Sequence, residues 1–248
     1  MFDFFVKKKF LVDYLDGFTD IHNHILPGID DGAKKVEESL CLIQGMGAFG
    51  ITNFICTPHI MENYYPNNHE TIQNALSLVQ NELKTNNLPH VRVQAAAEHM
   101  IDSGFESLLE KNEFMPLDSN YILIEMSYLQ PSINFDEAIQ KIANKNLFPI
   151  LAHPERYVFL QNNLDKYERI KNKGLLYQLN FLSLGDYYGK HVQKTAHTLL
   201  KLNMIDFIAT DVHNLNQLKH LKEIKISSRV LNLLLPVIER TSNTFIQN

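Results

Sequence analysis

Histidines and carboxylates recur along this chain directly after apolar runs. His22 and His24 form an H-x-H pair closing residues 18–24, and Asp211 and His213 form a D-x-H pair after residues 205–209. Between the two pairs, His59, Glu98, Glu125 and His153 each follow a stretch of strand length. Imidazoles and carboxylates without thiolates suit Mn, Fe or Zn in sites that do chemistry, and argue against a structural cysteine–zinc knot. Residues i and i+2 of an extended backbone face the same way, so either pair can grip one ion. Such groups are costly to desolvate beside apolar strands unless paired or metal-bound. One histidine of this kind is an ordinary loop residue, whereas six strand ends carrying a donor at repeat spacing make a pattern. From His22, the steps to His59, Glu98, Glu125, His153 and Asp211 are 37, 39, 27, 28 and 58 residues, the last spanning two units with Asn180 ending the strand between.

The elements that must position these groups alternate. Apolar runs at 18–22, 53–57, 91–97, 121–124, 148–152, 176–179 and 205–209 read as strands. Val36, Leu40, Ile43, Gly47 and Gly50 make a helical stripe, as do Ile72, Leu76, Val79 and Leu83, and later Val192, Ala196, Leu199 and Leu202. Residues 105–109, 136–145 and 164–173 also read as helical, the last stopped by Gly174, and 230–235 as a final buried helix. Seven βα units with near-continuous apolar strands predict a parallel α/β architecture. A closed barrel and an open doubly wound sheet both fit this periodicity. The absence of G-x-G-x-x-G after the first strand counts against dinucleotide binding. In a barrel, C-terminal strand ends converge on one face, where active sites form.

The chain's 248 residues, 45% hydrophobic and 21% charged, suit one large folded domain. Its net charge of −5 argues against a general nucleic-acid or membrane-surface binder. Two cysteines, Cys41 and Cys56, are too few for a disulfide framework, so a reducing, cytoplasmic setting is expected. The apolar patch at the N-terminus is too short to span a membrane and reads as an arm packed on the domain. His69, His90, His191, His197 and His220 read as surface or structural residues, and His99 as pointing away from its neighbour Glu98. Of the two acids before Gly32, Asp30 reads as a turn or helix N-cap residue.

Residues 20–33, Asp-Ile-His-Asn-His-Ile-Leu-Pro-Gly-Ile-Asp-Asp-Gly-Ala, resemble the opening motif of the PHP (polymerase and histidinol phosphatase) superfamily. They are most similar to its branch of manganese-dependent protein-tyrosine phosphatases found with bacterial capsule and exopolysaccharide genes. Thr-Pro-His at 57–59, Ala-Glu at 97–98, Leu-Ile-Glu-Met at 123–126, Ala-His-Pro-Glu-Arg-Tyr at 152–157 and Thr-Asp-Val-His-Asn at 210–214 follow in that branch's order. The resemblance runs over 17–214, within one PHP-type domain covering 1–248 with a C-terminal helical segment at 215–248.

The resemblance implies a distorted (β/α)7 TIM-like barrel holding three divalent ions, manganese first, with iron or zinc as alternatives. It assigns His22, His24, Glu98 and Asp211 to one ion. Glu98 as a bridge, Glu125 and His153 go to the second, and Asp31, His59 and His213 to the third. Arg156 would hold the substrate phosphate. One departure concerns a further Arg often found after the Asp-x-His-Asn motif: here the segment reads Leu-Asn-Gln-Leu-Lys-His, leaving Lys219 as a point charge rather than a fork. Tyr64, Tyr65, Tyr187 and Tyr188 are candidates to hold a phosphotyrosine ring. Three divalent ions against the four carboxylates leave two positive charges, a match for a phosphate monoester dianion. Such ions turn bound water into a nucleophile at neutral pH, and Arg156 can take two phosphate oxygens side by side. Cysteine chemistry is excluded, because six positions beyond Cys41 and Cys56 stand Gly47 and Glu62 rather than the arginine of a Cys-x5-Arg loop. The implied partner is a bacterial tyrosine autokinase. The alternatives are a small-molecule phosphatase such as a histidinol-phosphate phosphatase, a nuclease, and a non-catalytic metal-binding domain.

Overall fold

The computed structural model describes residues 8–117 and 120–246. In chain order it contains β1 (Lys8–Phe10), β2 (Thr19–Asp20), α1 (Val36–Gly47), β3 (Asn53–Cys56), β4 (His59–Ile60), α2 (His69–Thr85), β5 (Arg92–Ala95), β6 (Glu98–Met100) and α3 (Phe105–Glu110). There follow β7 (Tyr121–Glu125), α4 (Phe135–Asn144), β8 (Phe148–Ala152), α5 (Leu164–Lys171), β9 (Leu176–Asn180), α6 (Lys190–Lys201), β10 (Phe207–Ala209), α7 (Leu215–Glu223), β11 (Lys225–Ser227) and α8 (Ser228–Phe245).

The strands form a closed ring by way of two parallel sheets. One has the order β2-β3-β5, the other β10-β9-β8-β7-β6-β4. The strand read at 53–57 stops before Pro58, which separates β3 from β4, whereas the strand expected at 91–97 is broken where Ala96 and Ala97 separate β5 from β6. Proline has no N–H to give a ladder, and the pairing resumes with His59 opposite Glu98. The donors His59 and Glu98 thus begin short strands instead of ending long ones. These breaks are the distortion in the expected (β/α)7 barrel. Closure comes from the first and last strands, where Asn23 bridges Val212 in parallel. Asp211 N–H donates to His22 O at 2.7 Å, and His24 N–H to Val212 O at 3.0 Å.

Inside the barrel, Ile21, Ile55, Ala96, Leu123, Ile150 and Ala209 belong to a small apolar cluster closed off by Phe245 of α8. The strand period of two carries this inward face from Leu123 to Glu125 and from Ala209 to Asp211. Outside, helices cover the strands in a much larger cluster. The stripe expected on α2 is buried as read, at Ile72, Leu76, Val79 and Leu83. On α1 the buried face is Ser39, Leu42, Ile43 and Met46, a rotation away from Val36, Leu40 and Gly47. The expected N-terminal arm is present in its described part, where β1 pairs antiparallel with β11; residues 1–7 of that arm lie outside the described residues. Among the described residues, no helix is long and apolar enough to cross a membrane.

The seam has a buried polar clasp. Asp20 accepts the Thr210 N–H at 2.9 Å on one carboxylate oxygen and the Thr210 hydroxyl at 2.6 Å on the other. Burial pushes its carboxyl up to about 6, against those hydrogen bonds. Asp20→Ala leaves two buried donors unpaired, an expected loss of about 2–4 kcal/mol, read as a lower urea midpoint at unchanged slope. A midpoint like that of the unmodified chain would rule out this role for the clasp.

Candidate metal centre

Each donor is fixed at one end so that its other end faces a common space. His22 lies just beyond β2, and its Nδ1–H donates to Gln178 Oε1 at 2.7 Å, an oxygen freed because the same amide's nitrogen donates to Leu179 O. His24 Nδ1–H donates to Asp30 Oδ2 at 2.7 Å. Both Nε2 atoms then face Asp211 Oδ1, each at 3.3 Å, and Glu98 Oε2, at 3.2 Å for His22 and 3.6 Å for His24. This is the arrangement by which an outer partner selects the histidine tautomer and aims a ligand nitrogen.

The remaining donors complete the wall. His153 Nε2 is 3.0 Å from Glu98 Oε1. His59 Nδ1 lies 2.8 Å from Glu125 Oε1 and 3.1 Å from Glu98 Oε2. Asp31 Oδ1 stands 3.4 Å from His59 Nε2 and 3.5 Å from His213 Nε2. In four groups each residue brings one donor atom to within 4.8 Å of the others': His24, Asp31, His59 and His213; His22, His24 and Asp211; His22, Glu98 and His153; and His59, Glu98 and Glu125. The shared members make one continuous centre containing all nine residues singled out from the sequence.

The donor set passes a direct test of fit to divalent ions. His59 Nδ1, Glu98 Oε2, Glu125 Oε1 and His153 Nδ1 are buried without a hydrogen-bond partner, although the close approaches just given bring three of them together. Buried polar atoms are normally hydrogen-bonded. Nitrogen and oxygen atoms crowded this closely without hydrogen-bond geometry are what cation coordination would satisfy.

Electrostatics point the same way. Burial opposes charge on His22, yet Glu98 and Asp211 raise its pKa, while Asp30 helps bring His24 to about 10 and Glu125 and Glu98 hold His59 well above its usual range. Burial likewise opposes charge on Glu98 and Asp211, but the imidazoles, His22 foremost, hold both far below the ordinary carboxylate range. A buried pool of negative charge draws in protons where it lacks cations, and metal binding releases them.

Backbone strain serves the centre. His153 has φ 36° and Asp211 has φ 50°, both in the left-handed region that costs a side-chain-bearing residue energy. These turns redirect the chain directly after β8 and β10. Beyond His153 a 3-10 turn, Pro154–Arg156, tucks Glu155 inside and sends Arg156 to the rim. Arg156 Nη1 donates to Asp211 Oδ2 at 2.8 Å, so its carboxylate partner is Asp211 and not Glu155. Buried Glu155 instead accepts from the Ser183 hydroxyl at 2.6 Å and Asn180 N–H at 3.1 Å, and burial pushes its carboxyl up to about 7. Above the centre opens a cavity of about 670 Å³, lined among others by Asp31, His213, Arg156, Met61, Tyr65 and Tyr128.

Residues 18–228 match the model of a family described as capsular polysaccharide synthesis, CpsB/CapC. The chain belongs to the CpsB/CapC family. Among its relatives, the tyrosine-protein phosphatase YwqE of Bacillus subtilis is 30% identical over 196 residues, covering 79% of this chain and 77% of that protein. The tyrosine-protein phosphatase CpsB of Streptococcus pneumoniae is 29% identical over 203 residues, covering 79% and 83%. A solved structure from the work on YwqE and CpsB, described as unique metal-dependent tyrosine phosphatases, superposes with a TM-score of 0.77 at 26% identity, covering 93% of this chain and 96% of the other. A lactonase from Listeria monocytogenes, at 10% identity and a TM-score of 0.50, shares the fold.

Several expectations need correction in this family member. Asp30 does make a turn, accepting Gly32 N–H at 2.8 Å, but its other oxygen holds His24, so it is part of the centre's support. Lys219 sits exposed on α7 and is not among the cavity's lining residues. Of the four tyrosines, Tyr64 and Tyr65 line the cavity, with Tyr65 stacked on His59 at 5.4 Å between ring centroids. Tyr187 packs against His220, and Tyr188 lies against Arg156. His99 points away as expected, donating from Nδ1 to Leu123 O and accepting Met115 N–H. Gln178 and Tyr128 were not anticipated. Gln178 shares the inward parity of Asn180 on β9, a period-two signal available in the sequence; Tyr128, in a loop, had none.

Asp30→Ala removes the carboxylate that orients His24. Its expected effect is a 10–100-fold loss of Mn2+ affinity, of the order seen for such partners, measured by titration calorimetry on purified protein. Lys219→Ala, in contrast, should leave kcat/KM on a phosphotyrosine peptide unchanged, and a loss above a few-fold would return that residue to the site.

Proposed function

We propose that this chain is a metal-dependent protein-tyrosine phosphatase, hydrolysing phosphotyrosine on a protein substrate. The observation that carries the proposal is the convergence of five imidazoles and four carboxylates below a cavity with Arg156 on its rim. The kinship with YwqE and CpsB, described as tyrosine phosphatases, supports it. His22, His24, Glu98 and Asp211 would hold one cation. Glu98, Glu125 and His153 would hold a second, and Asp31, His59 and His213 a third, with manganese the foremost candidate. Bound divalent ions supply a water-derived nucleophile at neutral pH and charge compensation for the phosphoryl oxygens.

The chain's own residues do the rest. Gln178 and Asp30 fix two imidazoles before substrate arrives, so no reorganisation is required of them during the reaction. Arg156 has one N–H bound to Asp211 and keeps others for phosphoryl oxygens. Met61, Met100, Met126 and Tyr65 give the cavity a soft apolar side that suits an aromatic ring and excludes water. A thiol nucleophile finds no support: burial pushes Cys56 well above its usual pKa, and Cys41 lies on the exposed side of α1, outside the cavity. The substrate we favour is the tyrosine-rich tail of a bacterial tyrosine autokinase that controls polysaccharide synthesis.

The test compares turnover of a phosphotyrosine peptide and of histidinol phosphate, before and after chelation and after Mn2+ is restored. Peptide turnover that chelation abolishes and Mn2+ restores is expected, with Cys41→Ser and Cys56→Ser retaining it. Preference for histidinol phosphate, or bound metal with no turnover of either ester, would overturn the proposal.

A further inference from the structure

Arg156 is the one Arg or Lys among the described residues lining the cavity, and no arginine stands in residues 215–220, shortly after the Asp-x-His-Asn motif. A lone guanidinium on a long side chain recognises phosphate well only if its plane is held. Two aromatic rings lie against this one. The Arg156 Cζ is 4.6 Å from the centroid of Tyr128 and 4.3 Å from that of Tyr188, within the range of a cation–π contact.

The rings are themselves anchored on separate loops. Tyr128 follows β7; its carbonyl accepts the Val158 N–H at 2.9 Å, and its ring packs on Tyr157 and His153. Tyr188 follows β9; its hydroxyl accepts from Asn180 Nδ2 at 3.4 Å, and that same nitrogen donates to Asp211 Oδ2 at 2.7 Å. Asp211 Oδ2 also accepts from Arg156, while its Oδ1 faces His22 and His24. The guanidinium is therefore tied by one edge to Asp211 and by its π-faced surface to two rings.

We infer that Tyr128 and Tyr188 are positioning residues that set the plane of Arg156, so that this single arginine presents its free N–H donors to the phosphoryl group as a prepared fork. The inference rests on the proposed phosphate-binding role of Arg156. Tyr188, which the sequence offered as a contact for the substrate's ring, instead serves the residue that grips the phosphate. The part of the aromatic wall left for the substrate is Tyr64, Tyr65 and the exposed edge of Tyr128.

The test uses the metal-loaded full chain. Inorganic phosphate binding is measured by calorimetry, and KM and kcat on a phosphotyrosine peptide, with metal content checked for every variant. Tyr128→Leu and Tyr188→Leu should each weaken phosphate binding and raise KM by about 3- to 30-fold, the span of a desolvated cation–π contact, at unchanged metal content. Tyr128→Phe and Tyr188→Phe, which keep the rings, should restore binding to within about threefold. In an Arg156→Ala background the leucine substitutions should cost nothing further. Should Tyr128→Leu fail to fold, Tyr188→Leu carries the same comparison. Leucine variants that bind phosphate normally would overturn the inference, as would losses that persist without Arg156 or that track lost metal. Arg156→Ala binding phosphate as the unmodified chain does would remove instead the proposed role of the arginine, and the inference with it.

Discussion

The constraint on which this structure turns is the burial of like charges. Glu98, Glu125 and Asp211 are almost wholly inaccessible, and so are His22, His24 and His153. Water cannot compensate them there, and their mutual approaches leave several atoms without a hydrogen bond. Such a centre is stable only with positive charge inside it, as protons on the imidazoles or as cations. The barrel supplies the rigidity that keeps the groups from moving apart, and the supporting hydrogen bonds from Gln178, Asp30 and Asn180 decide which lone pairs face inward.

Support and the proposed phosphate recognition meet at Asp211. One carboxylate oxygen faces the imidazoles of the first strand, and the other takes hydrogen bonds from Arg156 and Asn180. The group that would bind cation and the group that would bind phosphate are thus one hydrogen bond apart. Strand β9 brings two neutral amides to the donor groups. Gln178 and Asn180 direct their neighbours without adding to the negative charge.

Much of this was legible in the sequence. Donors at the ends of alternating apolar runs identified eight of the nine residues, because strand parity and barrel geometry turn sequence spacing into spatial convergence; Asp31 came only from the resemblance of its motif. The stop before His59 was legible in Pro58, but the break before Glu98 was not legible in the Ala-rich run at 95–97, since apolar continuity says nothing of where pairing stops. The double duty of Asp30 was hidden because turn-forming and histidine-holding use the two oxygens of one side chain. The left-handed backbone at His153 and Asp211 was not legible either: both residue types tolerate that region better than most, but tertiary packing decides which of the chain's many adopt it. Tyr188 was seen as an aromatic near the site, but its partner depends on how the loops after β8 and β9 fold over each other.

The seam between the first and last strands has a consequence for the molecule as a mechanical object. His22 and His24 come from one side of it and Asp211 and His213 from the other, joined by a short run of backbone hydrogen bonds, the Asp20–Thr210 clasp and the stacked rings of His24 and His213. A cation gripped from both sides would act as a rivet through the joint. Loss of that rivet would loosen the hoop at its one place of closure, making the integrity of the barrel and its readiness for chemistry a single property of the ion supply.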